Sequence, residues 1–172
     1  MIRPVRFESN PQTAASNRFQ GESGLSPEDQ QSAAEDEFQG LVDALRAAGI
    51  EVIVVDDTVE PHTPDAVFPN NWISFHADGK VVLYPMEAEN RRSERRPDII
   101  DVLSAKHGFQ VSAVIDLSHH EVNGHFLEGT GSMVLDRVNR VAYACLSSRT
   151  QLDALGDFAQ QLDYDVVAFD AV

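Results

Sequence analysis

The stretch Thr63-Pro-Asp-Ala-Val-Phe-Pro-Asn-Asn-Trp72-Ile-Ser-Phe-His-Ala-Asp-Gly-Lys-Val-Val-Leu-Tyr84-Pro-Met-Glu-Ala-Glu-Asn-Arg-Arg-Ser-Glu-Arg-Arg96 decides the fold. Its first half is a hairpin: Trp72 to Phe75, a turn at Ala77-Asp78-Gly79, then Val81 to Tyr84. Asp-Gly between two apolar runs is a strong turn signal, because glycine supplies the positive φ that tight hairpins need. After the arginine run, Ile99, Ile100, Val102 and Leu103 recur at helical spacing, and Phe109 to Asp116 then reads as a strand. The segment therefore predicts a ββαβ unit.

The same order recurs downstream. Ser132 to Leu135 and Val141 to Cys145 flank a turn near Arg137 to Asn139, Leu152, Leu155, Phe158 and Leu162 share one helix face, and Tyr164 to Asp170 closes the unit as a strand. Upstream, Ile2 to Phe7 reads as a strand, Phe38, Leu41, Val42 and Leu45 as a helix face, and Ile50 to Asp56 as a further strand. The three closing strands end at Asp56, Asp116 and Asp170, so the chain is internally repetitive. Modules of about residues 1–62, 63–118 and 119–172 follow, within one domain.

Local signals mark the helix ends. Ser26-Pro27 offers an N-cap with proline at the first helical position, but Ser32 with Glu35 forms a capping-box pattern and is the expected start of the first long helix. Gly49 and Gly108 stand where helix C-caps belong. Short strands with helices outside them suit modules arranged around an axis. Three modules do not close such a ring and leave strand edges open, so further chain is expected after Val172, or self-association into a homo-oligomer.

With 172 residues, 42% of them hydrophobic, the chain can bury a sizeable core. A net charge of −15 repels phosphate backbones and disfavours nucleic acid and anionic membranes as partners. No apolar run reaches about 20 residues, and Met-Ile-Arg-Pro lacks the layout of a signal peptide, so a cytoplasmic location and a small-molecule partner are expected. The single cysteine, Cys145, excludes an intrachain disulfide. It lies in Val-Ala-Tyr-Ala-Cys-Leu, where a free thiol acts as a small hydrophobe.

With Phe126-Leu127-Glu128-Gly129-Thr130-Gly131, the Phe-Pro-Asn-Asn-Trp and Asn-Arg-Arg segments resemble the amidinotransferase and arginine deiminase superfamily. The likeness is greatest to its citrulline-utilisation hydrolases, whose opening is similar to Ile2-Arg3-Pro4, Asn10, Gln12-Thr13-Ala14, Asn17 and Phe19-Gln20. The resemblance implies a pentein fold, an α/β propeller of five ββαβ modules, about three of which this chain holds. It also implies hydrolysis of a terminal C–N bond in a ureido or guanidino amino acid. A late cysteine and a histidine would do so covalently, both beyond residue 172.

Within that resemblance, Glu128 and Asp65 are the candidate catalytic carboxylates. Asn71 stands where arginine-acting relatives carry aspartate. A guanidinium has only donors and pairs best with two carboxylates, whereas a ureido group also accepts. Asn71 therefore favours citrulline, converted to ornithine, over an arginine-like substrate. Arg91 and Arg149 match positions that hold the substrate's α-carboxylate in a bidentate grip. No cofactor and no metal is implied.

Each residue has a plainer reading beside this one. Glu128 sits in a Gly/Thr-rich bend, Asp65 follows Pro64 as turn residues do, and Asn70 or Asn71 could form an Asx turn. Trp72 among Ile73 and Phe75 reads as core, and Arg92, Arg95 and Arg96 read as a solvated helix start. His119, His120 and His125 read as polar surface, since no carboxylate completes a familiar metal-ligand spacing. Two other functions stay open: a non-catalytic amino-acid-binding fragment, and an arginine deiminase or amidinotransferase.

Overall fold

The computed structural model describes residues 1–14, 21 and 24–171; Asn17, Phe19 and Gln20 lie outside these. The fold is mixed α/β. It divides into two compact units, one of residues 1–69 with 88–94, the other of residues 70–87 with 95–172.

In the first unit, β1 (Ile2–Arg3) pairs in parallel with β2 (Val55–Asp56). Both strands are far shorter than the predicted Ile2 to Phe7 and Ile50 to Asp56. Between the strands runs α1 (Pro27–Ala47). Its N-cap is Ser26, whose hydroxyl accepts the Asp29 N–H at 3.1 Å, with Pro27 in the first turn; Ser32 lies inside the helix, so the capping-box start is corrected. Phe38 and Val42 are the buried stripe of α1, one helical turn apart, whereas Leu41 is exposed on the adjoining face. Gly49, at φ 81°, closes the helix, its N–H bonded to the Arg46 carbonyl.

The second unit contains two sheets of the same topology. Hairpin strands β3 (Ile73–Phe75) and β4 (Lys80–Leu83) are antiparallel, α2 (Pro97–His107) follows, and β5 (Ala113–Asp116) lies parallel to β4. Likewise β6 (Met133–Asp136) and β7 (Val141–Cys145) are antiparallel, and after helix α4 (Leu152–Leu162) strand β8 (Asp165–Phe169) lies parallel to β7. Two ββαβ units are thus present as predicted. A four-residue helix, α3 (Gly129–Ser132), precedes β6.

β5 begins four residues later than expected because its partner β4 starts only after the Asp78-Gly79 turn. Gly79 has φ 82°, and a Cβ there would stand 2.6 Å from the Gln110 carbonyl oxygen. The close approach of Phe109–Ser112 to the turn therefore depends on glycine. Gly108, at φ 71°, caps α2 as predicted.

One core serves both sheets of this unit: Val82, Tyr84, Leu117, Leu127, Met133, Ala142, Ala144, Leu155, Phe158 and Leu162 form one buried cluster. Trp72 is 1% exposed, in line with its reading as core. Cys145 is half-buried on β7, so it packs only partly as a core residue. Leu152, read as part of the buried face of α4, is exposed at its first turn. β8 departs further from expectation, since Val166, Val167 and Phe169 are all exposed. Among the described residues β8 pairs only with β7, which leaves it as a sheet edge. No described helix is long and apolar enough to cross a membrane.

Candidate active site

Glu128 is held by the chain on both sides of it. Leu127 forms an antiparallel bridge with Thr150 and donates its N–H to the Pro85 carbonyl. Next, Gly129 adopts φ 44° with its α-carbon against the Asn70 carbonyl, a conformation and a clearance that a side chain would forbid. The Glu128 N–H donates to Ser132 Oγ at 2.7 Å, and that hydroxyl donates to the Arg149 carbonyl, also at 2.7 Å. This is the physical use of the Leu-Glu-Gly-Thr-Gly-Ser motif: glycines permit the bend and serine pins it.

The result is a carboxylate 1% exposed and satisfied by specific donors. Its Oε1 accepts the Glu87 N–H at 3.1 Å, and its Oε2 lies 3.4 Å from Arg149 NH1. A buried carboxylate needs such partners to stay ionised. Arg149 is only partly buried, so its guanidinium joins Glu128 to the surface. Glu87, which the sequence reading passed over, contributes its backbone to Glu128 and its own carboxylate to the Ser148 hydroxyl at 3.1 Å.

Asn71 belongs to the same cluster. It ends the 3-10 turn Pro69–Asn71, and a Cβ on Gly131 would meet its Nδ2 at 2.9 Å and the Glu128 Cβ at 3.8 Å. The bare backbone of Gly131 thus separates the Asn71 amide from Glu128 and lets both approach it. Asn70 takes the structural part, donating from Nδ2 to Thr130 Oγ1 at 2.6 Å. A cavity of about 230 Å³, lined by Ser74, Tyr84, Gly129, Thr130, Met133 and Arg137 among others, adjoins this loop.

Asp65 and Arg91 lie in the first unit, in a polar cluster of their own. Asp65 Oδ2 accepts from Asn10 Nδ2 at 2.6 Å, and Asn10 in turn exchanges hydrogen bonds with Asn90. Arg91 is 3% exposed; its Nε and NH2 donate to the Glu94 carboxylate at 3.0 and 2.9 Å, and Asp65 stands 3.6 Å from its Nε. To grip a substrate carboxylate, Arg91 would have to share or leave these partners. Glu94 was missed in the sequence, although its spacing of three from Arg91 on a 3-10 turn was a usable signal. Burial, the largest influence on Glu94, pushes its pKa up to about 7; Arg91 opposes the rise, and Asp65 and Asp57 add to it.

Arg95 requires a correction. It is not a solvated helix-start residue, because its side chain is largely buried and forms a two-pronged pair with Glu121 at 2.5 and 3.0 Å. Glu121 also accepts the Met86 N–H at 2.8 Å. Arg96 is likewise mostly covered, at 19% side-chain exposure, although its partner Asp98, 2.7 Å away, is exposed, so it too departs from the solvated reading.

Repeated ββαβ sheets with a buried glutamate beside an asparagine amide and a guanidinium point to one class of protein. This is the amidinotransferase, or pentein, superfamily. Over residues 3–172 the chain matches the family described as N,N dimethylarginine dimethylhydrolase, eukaryotic, and it belongs to that family.

Solved structures share the fold. The N-terminal domain of ArgZ, an arginine dihydrolase from the ornithine-ammonia cycle in Cyanobacteria, solved with substrate bound, is 22% identical with a TM-score of 0.69, covering 100% of this chain and 57% of that one. AgrE, in complex with ornithine and NAD+, is 23% identical with a TM-score of 0.71, covering 100% of this chain and 23% of that one. A dimethylarginine dimethylaminohydrolase adduct with S-methyl-L-thiocitrulline is 17% identical with a TM-score of 0.66, covering 99% of this chain and 61% of that one. The chain therefore spans less than two thirds of each of these proteins. No curated protein sequence matches it significantly.

Proposed function

We propose that this chain is the substrate-orienting portion of a pentein hydrolase that cleaves the terminal C–N bond of a ureido or guanidino amino acid, citrulline to ornithine foremost. In this reading the chain holds about three of the five propeller modules, with boundaries near residues 62 and 118. The supporting observation is Glu128, a buried carboxylate held by the Glu87 N–H and the Arg149 guanidinium, with the Asn71 amide across Gly131.

In the reaction, Glu128 accepts from the N–H groups of the ureido end, and Asn71 donates to its carbonyl oxygen. Arg149, ion-paired with Glu128, has its guanidinium near enough the surface to meet the α-carboxylate of the amino acid. Asp65 and Arg91, the other site residues that the resemblance implies, belong to the first unit, where Arg91 grips Glu94. A cysteine thiolate from the chain beyond residue 172 attacks the ureido carbon, and a histidine protonates the leaving δ-nitrogen of ornithine. Water then cleaves the S-carbamoyl group, returning the thiol and releasing ammonia and carbon dioxide. The site works in solution in the cytoplasm without a cofactor.

Glu128→Gln in the intact protein tests this. Ornithine release from citrulline should fall on the order of 10²-fold in kcat, since a charged contact to the reacting group is lost. Wild-type-like steady-state kinetics would overturn the role of Glu128. A second reading, hydrolysis of a guanidino group, draws on the family match and predicts citrulline with release of ammonia or an amine as the products.

A further inference from the structure

His119 and His120 lie on the 3-10 turn Ser118–Asn123, and Asp157 lies on α4, 37 residues beyond His120. The fold brings both rings to one carboxylate oxygen. His120 Nε2 is 3.0 Å and His119 Nε2 is 3.4 Å from Asp157 Oδ2, and the two rings lie tilted at 34° with centroids 4.3 Å apart. One ligand atom from each residue lies within 4.8 Å of the other two.

The protonation of His119 follows from its other nitrogen. Nδ1 stands 3.1 Å from the Asp116 carbonyl oxygen, which only accepts, so Nδ1 carries the hydrogen. In the neutral ring, Nε2 then presents a lone pair to a carboxylate oxygen that also only accepts. The lone pair and the carboxylate oxygen, 3.4 Å apart, thus face the same point as two donors to a shared cation.

The spacing is compatible with a metal ion. A zinc-type ion bonds nitrogen and oxygen at about 2.0–2.2 Å, which places neighbouring ligands of a tetrahedron roughly 3.3–3.6 Å apart. The observed 3.0 and 3.4 Å need little adjustment to reach that spacing. The Nδ1–H bond of His119 to a backbone carbonyl is also the outer contact by which metal-binding histidines are commonly oriented. Two imidazoles and one carboxylate suit a borderline divalent ion rather than a hard one such as Mg²⁺. The chain's net charge of −15 raises the local concentration of cations.

We propose that His119, His120 and Asp157 bind one divalent ion of the zinc type. Water completes the coordination on the outer side, where His119 is exposed. The ion would clamp the Ser118–Asn123 turn to α4, a structural site separate from Glu128. Linear spacing could not show it, because the third ligand comes from a different element. His125 takes no part: its Nδ1 pairs with Asp153 at 3.2 Å.

The test is a titration of the metal-free purified protein with ZnCl₂ against a chromophoric chelator, with thermal melts in parallel. We expect one equivalent of Zn²⁺ to bind and to raise Tm, since an ion held by the folded state alone stabilises it. Affinity for that equivalent should fall at least about tenfold in His119→Gln and in Asp157→Asn, and stay within about twofold in His125→Gln. His119→Gln alters an exposed side chain, and far-UV circular dichroism checks that both variants fold. Absence of saturable binding, or equal affinity in wild type, His119→Gln and Asp157→Asn, would overturn the proposal.

Discussion

Replacing Glu94 by glutamine should flatten the dependence of stability on pH between 5 and 8. Glu94 is 3% exposed, and burial raises its pKa from an ordinary 4.5 to about 7 despite the Arg91 guanidinium 2.9 Å away. A group that binds its proton more tightly when folded stabilises the protein at low pH, and the benefit is lost as pH rises through the folded value. Between pH 4.5 and 7 the rise corresponds to about 3 kcal/mol, at about 1.4 kcal/mol for each pH unit. Glutamine has no proton to lose. The stability of Glu94→Gln relative to wild type should therefore increase by up to about 3 kcal/mol from pH 5 to pH 8. Urea unfolding followed by far-UV circular dichroism, repeated at unit pH intervals, reads this difference directly. Other carboxylates weaken the fold toward low pH, but they are common to both proteins and cancel in the comparison. Parallel curves for the two proteins would refute the reasoning and show that Arg91 keeps Glu94 ionised throughout.

Arg91→Met should destabilise by about 3–5 kcal/mol at pH 8, because Glu94 and Asp65 then lose the cation they face, and denaturant midpoints will show whether it does. Gly129→Ala should cost at least about 1–3 kcal/mol, since φ 44° and the Asn70 carbonyl both oppose a Cβ; a melting temperature equal to wild type would contradict the bend described for Glu128. Ser26→Ala should cost about 1 kcal/mol through loss of the Asp29 N–H cap, whereas Ser32→Ala, at an exposed position inside the helix, should stabilise by about a few tenths of a kcal/mol, a contrast measurable by urea unfolding. Asn71→Asp in the intact protein should move the ratio of kcat/KM for citrulline over arginine toward arginine by about tenfold or more, because the carboxylate favours a donor-only group. An unchanged ratio would remove Asn71 from substrate selection.

The elements legible in the sequence are those set by local chemistry. Asp78-Gly79 announced its hairpin because few residues other than glycine tolerate the turn's positive φ, and Gly108 announced the end of α2 for the same reason. Phe158 and Leu162 announced the buried face of α4 through their spacing. Where two local signals competed, the reading failed: Ser32 with Glu35 has the better motif, yet Ser26 followed by proline begins the helix. Leu41 and Leu152 share the helical period of their buried neighbours but fall outside the covered arc, which residue spacing alone does not delimit.

Residue identities by themselves determined the ββαβ repeat, the acidic character of the chain and the family to which Glu128 and Asn71 belong. These depend on neighbours within a few positions, on total charge, or on motifs read as written. Only the tertiary structure decided which charges meet. Arg91 is bound to Glu94 and Asp65, Arg95 to Glu121, and Arg149 to Glu128, and two histidines are brought to Asp157. The physical reason is that an ion pair depends on a few ångströms of separation. That separation is set by how strands and helices pack, and it is not encoded in distance along the chain.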